Sequence, residues 1–171
     1  MTEKSNCCMI KENGNVFINV KGDKHMNIVL GSDHCGYELK EMLLPYLKEH
    51  YTVTDCGCHS TEMVDFPDIA KAVCDEILSG RAERGIMFCG TGVGAAIACN
   101  KVKGIRASVC HDIYSAHQAV EHDNIQVMAL GHQIVGEFVA KELIEAFLHA
   151  KFNGSEEFTR RVKKLERMDG V

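Results

Sequence analysis

The chain has 171 residues, a length typical of one domain that buries about 70% of the surface of its unfolded chain. Its apolar fraction of 46% is ordinary for a soluble protein, and no apolar run approaches the ~18 residues of a membrane span. The formal net charge of -5 argues against a nucleic-acid partner, because such a partner needs basic patches that neutralise phosphates.

Residues 1–25 differ in pattern from the rest and are predicted to form an N-terminal extension. The turn-forming pair Asn13-Gly14 lies between the strand-like runs Cys8–Ile10 and Val16–Val20, which predicts a small hairpin, with disorder as the alternative. The segment lacks arginine and carries acidic residues, so it is a poor transit peptide. Met26 is an alternative start, and residues 26–171 are predicted to form a single domain.

Strand and helix patterns alternate after residue 26. The five predicted strands are Ile28–Gly31, Thr52–Asp55, Gly85–Cys89, Arg106–Cys110 and Gln126–Leu130. The predicted helices are a stripe around Leu39, Leu43 and Leu47, a second around Ile69, Val73 and Ile77 that Gly80 closes, then Gly94–Lys101, Ile113–Glu121, Glu137–Ala150 and Glu156–Arg167. Pro45 predicts a kink or an early end of the first helix.

This order predicts a doubly wound, three-layer αβα sandwich around a five-stranded parallel sheet, because apolar strands between helices are covered on both faces. Ligands of such sheets bind beyond the carboxyl ends of the strands. The candidate positions that follow the strands are therefore Asp33-His34, Asp55–His59, Cys89–Gly94, His111-Asp112 and Gly131–Gln133.

The nine cysteines form an odd number, and several lie inside apolar patterns, where cysteine acts as a small hydrophobic residue. We therefore expect reduced thiols and a cytoplasmic protein. The segment Cys56-Gly57-Cys58-His59 has the form of half a metal site, but no second pair follows at zinc-finger spacing. We interpret it as a strand end and a loop, and we predict no metal and no cofactor.

The densest motif is the glycine-rich turn Cys89-Gly90-Thr91-Gly92-Val93-Gly94, between a predicted strand and a predicted helix. One interpretation is a dinucleotide fingerprint, in which Gly90, Gly92 and Ala95 receive a pyrophosphate and Asp112 binds a ribose. This interpretation predicts a nucleotide-binding module. The turn follows the third strand of the domain, however, whereas the fingerprint belongs to the first βαβ unit.

The other interpretation is that the turn binds a developing oxyanion. The helix N-terminus would lower the pKa of the Cys89 thiol from ~8.5 toward neutrality, and a thiolate there could act as a general base. The N–H groups of Gly92, Val93 and Gly94 would bind an enediolate. Each such donor typically stabilises the developing charge by about 2.7–4 kcal/mol. A buried cysteine at a strand end, without chemistry, is the alternative.

Six motifs together resemble the B-type ribose-5-phosphate isomerases, whose wider family includes the subunits of galactose-6-phosphate isomerase. The order and separations agree from Met26 to about Val162. The motifs are Gly31-Ser32-Asp33-His34-Cys35-Gly36-Tyr37-Glu38-Leu39-Lys40, Asp65-Phe66-Pro67-Asp68, the turn Cys89–Gly94, Asn100-Lys101, Gly104-Ile105-Arg106-Ala107 and Glu121-His122.

The resemblance implies an aldose–ketose isomerase that interconverts ribose 5-phosphate and ribulose 5-phosphate. It implies that Cys89 is the base, that Thr91 assists at the oxygens and that His122 opens the furanose ring. It also implies a homodimer with shared active sites, with a tetramer as the alternative, and neither metal nor cofactor. The implied substrate-binding residues are Asp33, His34, Asp65, Gly90, Gly92, Val93, Gly94, Asn100, Asp123 and Arg161.

The departures from the family pattern concern the phosphate. Gln133 stands where the family usually has arginine, and Glu156 and Glu157 stand in the place of a Gly-Gly-Arg-His segment. Arg161 or its neighbour Arg160 is the one arginine of this set that remains. Three alternatives stay open: Arg160, Arg161 and His132 replace the missing cations, the substrate is another phosphosugar such as galactose 6-phosphate, or the sugar carries no phosphate. A non-catalytic subunit of a hetero-oligomer is a further possibility.

Overall fold

The computed structural model describes residues 8–12, 15–19 and 25–169. Strand β1, Cys8–Glu12, pairs antiparallel with strand β2, Asn15–Asn19. Asn13-Gly14, which we predict to form the turn between them, and Val20 lie outside the described residues. The division of the chain at residue 25 stays a prediction.

The predicted five-stranded parallel sheet is confirmed, and its strand order is β4-β3-β5-β7-β6. Its strands are β3 (Asn27–Ser32), β4 (Thr52–Asp55), β5 (Arg84–Cys89), β6 (Ala107–Val109) and β7 (Val127–Gly131). The helices are α1 (Tyr37–His50), α2 (Phe66–Leu78), α3 (Val93–Asn100), α4 (Ile113–Asp123), α5 (Glu137–His149) and α6 (Glu156–Met168).

Two hydrophobic cores lie on the two faces of the sheet, because successive side chains of a strand point to opposite faces. On β3, Ile28 and Leu30 belong to the core under α1, α4 and α5, whereas Val29 belongs to the core under α2 and α3. This arrangement confirms the three-layer sandwich. Among the helices of residues 25–169, none combines the length and the apolarity that crossing a membrane requires.

Helix α1 corrects one expectation, because it runs through Pro45 to His50 and does not end early. A proline inside a helix costs about 3 kcal/mol, since it removes one hydrogen bond and crowds the preceding turn. Pro45 lies on the exposed side of the helix, where water can hydrate the carbonyl left without a partner. Leu39, Leu43 and Leu47 are buried on the other side, and each contributes about 1.5–3 kcal/mol by burial, which offsets the proline.

Candidate active site

The chain reverses direction across the sheet between β3 and β5. Strand β4 lies on one side of β3, and β5 lies on its other side. At such a point the loops that leave the two strands diverge and open a crevice at the carboxyl edge of the sheet. The loop after β3 begins at Asp33, and the glycine turn begins after Cys89. The two densest motifs of the sequence therefore flank one crevice.

The Asp33 carboxylate is held rigidly at this crevice. The backbone N–H of Asp33 donates to the carbonyl of Phe88 at 3.1 Å, which joins its loop to the end of β5. Its Oδ1 accepts the N–H groups of Cys35 and Gly36, each at 2.9 Å. Only 5% of Asp33 is exposed. Gly36 is required here, because a Cβ would overlap the backbone of Phe88 and Cys89.

Cys89 ends β5 and is 8% exposed. Burial raises the pKa of the Cys89 thiol, and the Asp33 carboxylate raises the pKa further by accepting the S–H hydrogen bond. The N–H groups of Gly92 and Thr91, which are directed at the sulfur, act in the opposite direction but do not outweigh these effects. The expectation that the helix N-terminus lowers this pKa is therefore wrong, because burial and a neighbouring negative charge dominate.

The glycine turn brings its backbone close to β7 and α2. Gly92 has φ +79°, and a Cβ there would lie 3.3 Å from the Ala129 carbonyl, so the position favours glycine on both grounds. Gly94 packs under the Phe66 ring, because a Cβ added to Gly94 would lie only 2.9 Å from the Cζ atom of that ring. The Val93 N–H lies 3.4 Å from the Thr91 hydroxyl oxygen.

These contacts alter the expected oxyanion hole. The Gly92 N–H is directed at the Cys89 sulfur, and the Val93 N–H contacts the Thr91 hydroxyl. Within residues 25–169, the N–H of Gly94 has no hydrogen-bond acceptor. Of the three N–H groups predicted to hold an enediolate, that of Gly94 is therefore the most available.

His34 and Asp65 lie at the same edge as Asp33. His34 Nδ1 accepts the N–H of Val64 at 3.4 Å, so the loop after β3 meets the segment that leads into α2. Asp65 precedes α2 and is exposed, and its side chain makes no capping hydrogen bond. Its carboxylate is therefore available to a ligand.

The other predicted site residues lie at the opposite, amino edge. His122 and Asp123 end α4, just before β7 begins at Val127. Val127 pairs with Gly85 at the start of β5, whereas Gly131 pairs with Cys89 at its end. Four residues of strand separate the two levels, about 13 Å at ~3.3 Å per residue. One copy of the chain therefore does not bring His122 to Cys89.

Asn100 and Arg106 hold the amino edge together. The Asn100 amide donates to the carbonyls of Ala96 and Ala107, and its Oδ1 accepts the Ala107 N–H, which ties the end of α3 to β6. The Arg106 guanidinium donates to the carbonyls of Asp123 and Asn124 at the end of α4. Carbonyls at the end of a helix have no N–H donor within the helix. Arg106 supplies these donors and so fixes the segment that carries His122.

The arginines of α6 have different surroundings. Arg161 forms an ion pair with Glu157, and its guanidinium lies 5.6 Å from the centre of the Phe158 ring. Arg160 forms no ion pair within residues 25–169 and lines an open cavity of about 440 Å³. Lys163, Lys164 and Arg167 also line this cavity. Arg160 is therefore the more available of the two.

Several contacts at the site were not predicted. Lys40 is completely buried and binds Asp55 at 2.6 Å and Glu41 at 2.9 Å. Asp55 Oδ1 also accepts the Gly57 N–H at 3.0 Å. His111 Nε2 accepts the Gly131 N–H at 3.0 Å, and burial lowers the pKa of His111. The proximity of Lys40 and Asp55 has no signal in the sequence, because it depends on the pairing of β3 with β4.

The metal and dinucleotide interpretations find little support in these contacts. Among residues 25–169, no three His, Cys, Asp or Glu side chains form a group that could hold a metal ion, and all seven cysteines are free thiols. Asp112 caps α4: its Oδ1 accepts the Ser115 N–H at 2.8 Å and its Oδ2 accepts the Ser115 hydroxyl at 2.6 Å. The carboxylate that would bind a ribose is therefore engaged.

The protein is a three-layer αβα sandwich with a buried thiol and a buried carboxylate at the switch point of its parallel sheet. This arrangement is typical of α/β enzymes. The family model described as Ribose/Galactose Isomerase matches residues 28–165. The chain therefore belongs to the ribose/galactose isomerase family and is an isomerase.

Individual relatives agree with this family. D-erythrulose-4-phosphate isomerase of Pectobacterium atrosepticum is 44% identical over 75% of this chain and 86% of its own length. Ribose-5-phosphate isomerase B of Escherichia coli is 41% identical over 74% of this chain and 86% of its own. The structure of ribose-5-phosphate isomerase B from Clostridium thermocellum superposes with a TM-score of 0.82 at 42% identity, over 84% of this chain and 97% of the other.

Proposed function

We propose that the chain is a sugar-phosphate isomerase that interconverts ribose 5-phosphate and ribulose 5-phosphate, with Cys89 as the base. One observation carries the proposal: the Cys89 thiol lies between the Asp33 carboxylate and the N–H groups of Thr91 and Gly92, at the switch point of the sheet. The names of the Escherichia coli and Clostridium thermocellum relatives support this substrate.

The raised pKa requires that Cys89 lose its proton before it can act as a base. The Asp33 carboxylate beside the thiol raises this pKa, and so makes the thiolate a stronger base once it has formed. The N–H groups of Thr91 and Gly92 then stabilise the thiolate. The thiolate removes the proton from C2 of the open-chain aldose and returns it to C1 of the enediolate. The Thr91 hydroxyl moves a proton between O1 and O2, and the free N–H of Gly94 binds the developing oxyanion.

The complete site needs a second copy of the chain. His122, which opens the furanose ring in this proposal, lies about 13 Å along the sheet from the level of Cys89 in its own chain. A homodimer in which His122, Asp123 and Asn100 of one copy face Cys89 of the other would unite the two halves. The seven free thiols of residues 25–169 support a reducing, cytoplasmic location for this dimer.

The phosphate is proposed to bind the cations of α6. The loops after the strands, residues 33–36, 56–65, 90–92, 110–112 and 132–136, hold four histidines but neither lysine nor arginine. Gln133 packs against Gly90, 3.4 Å from where a Cβ would be, and offers an uncharged amide. Because Arg161 is paired with Glu157, we assign the phosphate to Arg160, with His132 and Lys163 as further candidates.

A shorter sugar phosphate is the second candidate substrate. Gln133, Glu156 and Glu157 alter the part of the family pattern that concerns the phosphate, whereas Cys89, Thr91 and His122 are retained. The relative from Pectobacterium atrosepticum is named for D-erythrulose 4-phosphate. A phosphate one carbon closer to the reacting atoms would require differently placed cations.

The test is an isomerase assay of the purified full chain with ribose 5-phosphate, D-erythrulose 4-phosphate, galactose 6-phosphate and allose. The variant Cys89→Ala should lose about 10²–10⁴-fold in kcat, the usual contribution of a general base. Cys56→Ala, which removes a thiol that is less buried than Cys89, is the control and should retain activity. Turnover of D-erythrulose 4-phosphate alone would keep the base and replace the substrate. Full activity of Cys89→Ala would refute the assignment of the base.

A further inference from the structure

The His122 imidazole makes two specific contacts inside its own chain. Gln118 lies one turn earlier on α4, and its amide nitrogen is 2.6 Å from His122 Nδ1. Phe158 lies on α6, and its ring is stacked on the imidazole, with centroids 4.2 Å apart and planes inclined by 20°. Neither contact is part of the sequence motifs that define the family.

The contact with Gln118 leaves one nitrogen of His122 free to react. Because Nδ1 is occupied, Nε2 is the nitrogen that can exchange a proton with a ligand. A glutamine amide donates through its N–H groups or, after half a turn, accepts through its oxygen. Gln118 therefore suits Nδ1 whether that nitrogen is bare or protonated. A carboxylate could only accept, and an aliphatic side chain could do neither.

Phe158 fixes the plane of the imidazole. It is stacked on one face of the ring, and such aromatic contacts are worth about 0.5–1.5 kcal/mol. Phe158 is in turn held near the start of α6 by the neighbouring ion pair of Glu157 with Arg161, whose guanidinium lies 5.6 Å from the Phe158 centroid. The glutamate that departs from the family pattern thus helps to hold the residue that covers His122.

We propose that Gln118 and Phe158 are positioning residues that hold His122 with Nε2 as its working atom. This inference rests on the proposed function, because it takes His122 as the residue that opens the ring. In the step, the Gln118 amide has turned so that its oxygen accepts Nδ1–H, which leaves Nε2 without a proton. Nε2 accepts the proton of the C1 hydroxyl as the C1–O4 bond breaks, with the electron pair of that bond going to O4. The imidazolium donates Nδ1–H to the Gln118 oxygen, and Nε2 then gives its proton to O4. The product is the open-chain aldehyde.

Kinetics with enzyme in excess over ribose 5-phosphate isolate ring opening. At saturating enzyme the wild-type rate should exceed the spontaneous rate of ring opening, because the enzyme opens the ring itself. Gln118→Leu should lower this ceiling about 3- to 10-fold, the value of one neutral hydrogen bond. A variant that is only less stable would still reach the wild-type ceiling.

Three further variants complete the kinetic test. Phe158→Leu should behave like Gln118→Leu, whereas Phe158→Tyr keeps the aromatic stack and should restore the wild-type ceiling. His117→Gln changes a neighbour that pairs with Glu121 and should leave that ceiling unchanged. If Gln118→Leu reaches the same rate as the wild type at saturating enzyme, the inference is overturned. It is also overturned if the wild-type ceiling equals the spontaneous rate of ring opening.

The ¹⁵N shifts of the histidine rings separate this inference from the proposed function. In Gln118→Leu, the Nδ1 resonance of His122 should move, while the ring resonances of His111 and His132 stay in place. A wild-type protein that converts no ribose 5-phosphate refutes the proposed substrate, and the ring shifts then decide the inference alone. An unchanged His122 spectrum would overturn the positioning by Gln118.

Discussion

The two edges of the sheet are built in different ways. At the carboxyl edge the groups proposed to react are buried and held by backbone: Asp33 is 5% exposed, Cys89 is 8% exposed, and Gly92 has a positive φ that few other residues adopt. At the amino edge His122 lies half-buried at a helix end, and Arg160 is exposed on α6. There, side chains such as Gln118, Arg106 and Phe158 supply the contacts.

In the proposed function, this difference separates the groups that carry out the chemistry from the groups that select the substrate. A group enclosed by backbone tolerates little change, because a new side chain must displace main chain. A group on an exposed helix end can be replaced without disturbing the sheet. The departures from the family pattern follow this division in part, since Glu156 and Glu157 lie on α6, whereas Gln133 lies at the carboxyl edge. We therefore expect relatives with different sugars to differ mainly on α6 and beside the glycine turn.

The comparison is tested most strongly by mixing two inactive variants. Cys89→Ala removes the proposed base at one edge and His122→Ala removes the ring-opening residue at the other, so each alone should lose activity, by about 10²–10⁴-fold. If the two edges of different copies form one site, subunit exchange regenerates native sites. Random pairing should restore about a quarter of the wild-type activity, because half of the dimers are mixed and each holds one intact site.

The mixture is measured by activity after mild denaturation and refolding of the two variants together. Each variant refolded with itself is the control, and it should stay inactive. No recovery in a mixture that contains mixed dimers would show that both edges act within one chain, or that His122 has no part in the reaction.

A smaller effect, a loss of folding stability, is expected when the buried ion pair of Lys40 with Asp55 below the carboxyl edge is broken. Burial alone would lower the pKa of Lys40, but the hydrogen bonds and charges of Asp55 and Glu41 outweigh it and raise the pKa. The pair therefore contributes its stability below the ordinary lysine pKa of 10.5 and loses it only as the pH rises through the higher folded value.

Lys40→Met should destabilise the protein by about 3–5 kcal/mol, because it leaves Asp55 partly buried and without its partner. For a chain of this size the melting temperature should fall by about 6–20 °C. Thermal unfolding measures the change at neutral pH. The double variant Lys40→Met with Asp55→Asn removes the uncompensated charge and should recover part of the loss. Equal stability of the wild type and Lys40→Met would mean that the pair is not needed to support this edge.

The fold could be predicted from the sequence because each element carries its own local pattern. The run at Thr52–Asp55 and the leucine stripe of α1 reflect the periods of a strand and a helix, which need no knowledge of distant residues. The strand order β4-β3-β5-β7-β6 has no such local signal, because pairing is decided by long-range packing. The prediction from Pro45 was wrong for the opposite reason. The local rule that proline ends a helix was overridden by the burial of leucines on the other side of α1.

For the site, the sequence could single out candidate residues but not how their surroundings change them. Cys89 and Asp33 could be singled out by motif and by their place after strands. The direction of the Cys89 pKa could not, because it depends on burial and on a carboxylate that lies 56 positions earlier in the chain and meets the thiol only when β3 pairs with β5. The contacts of Gln118 and Phe158 with His122 were likewise hidden, since they join α4 to α6.

The smallest predicted effect concerns the reactivity of the Cys89 thiol. Only the thiolate is alkylated, so a raised pKa should make Cys89 slow at neutral pH and faster by about 100-fold between pH 7 and pH 9. The measurement is the rate of iodoacetamide labelling, resolved by peptide mass spectrometry. Cys99 is fully buried in the core and serves as the internal control, because it should stay unlabelled while the protein is folded.

The variant Asp33→Asn tests whether the Asp33 carboxylate is a cause of the raised pKa of Cys89. Removing the carboxylate takes away the negative charge and the acceptor that raise the pKa of Cys89, while the N–H groups of Thr91 and Gly92 still favour the thiolate. The labelling of Cys89 at pH 7 should therefore become faster in Asp33→Asn, even as isomerase activity falls. If labelling slows or stays the same, burial alone controls the pKa of the thiol, and the Asp33 carboxylate does not raise it.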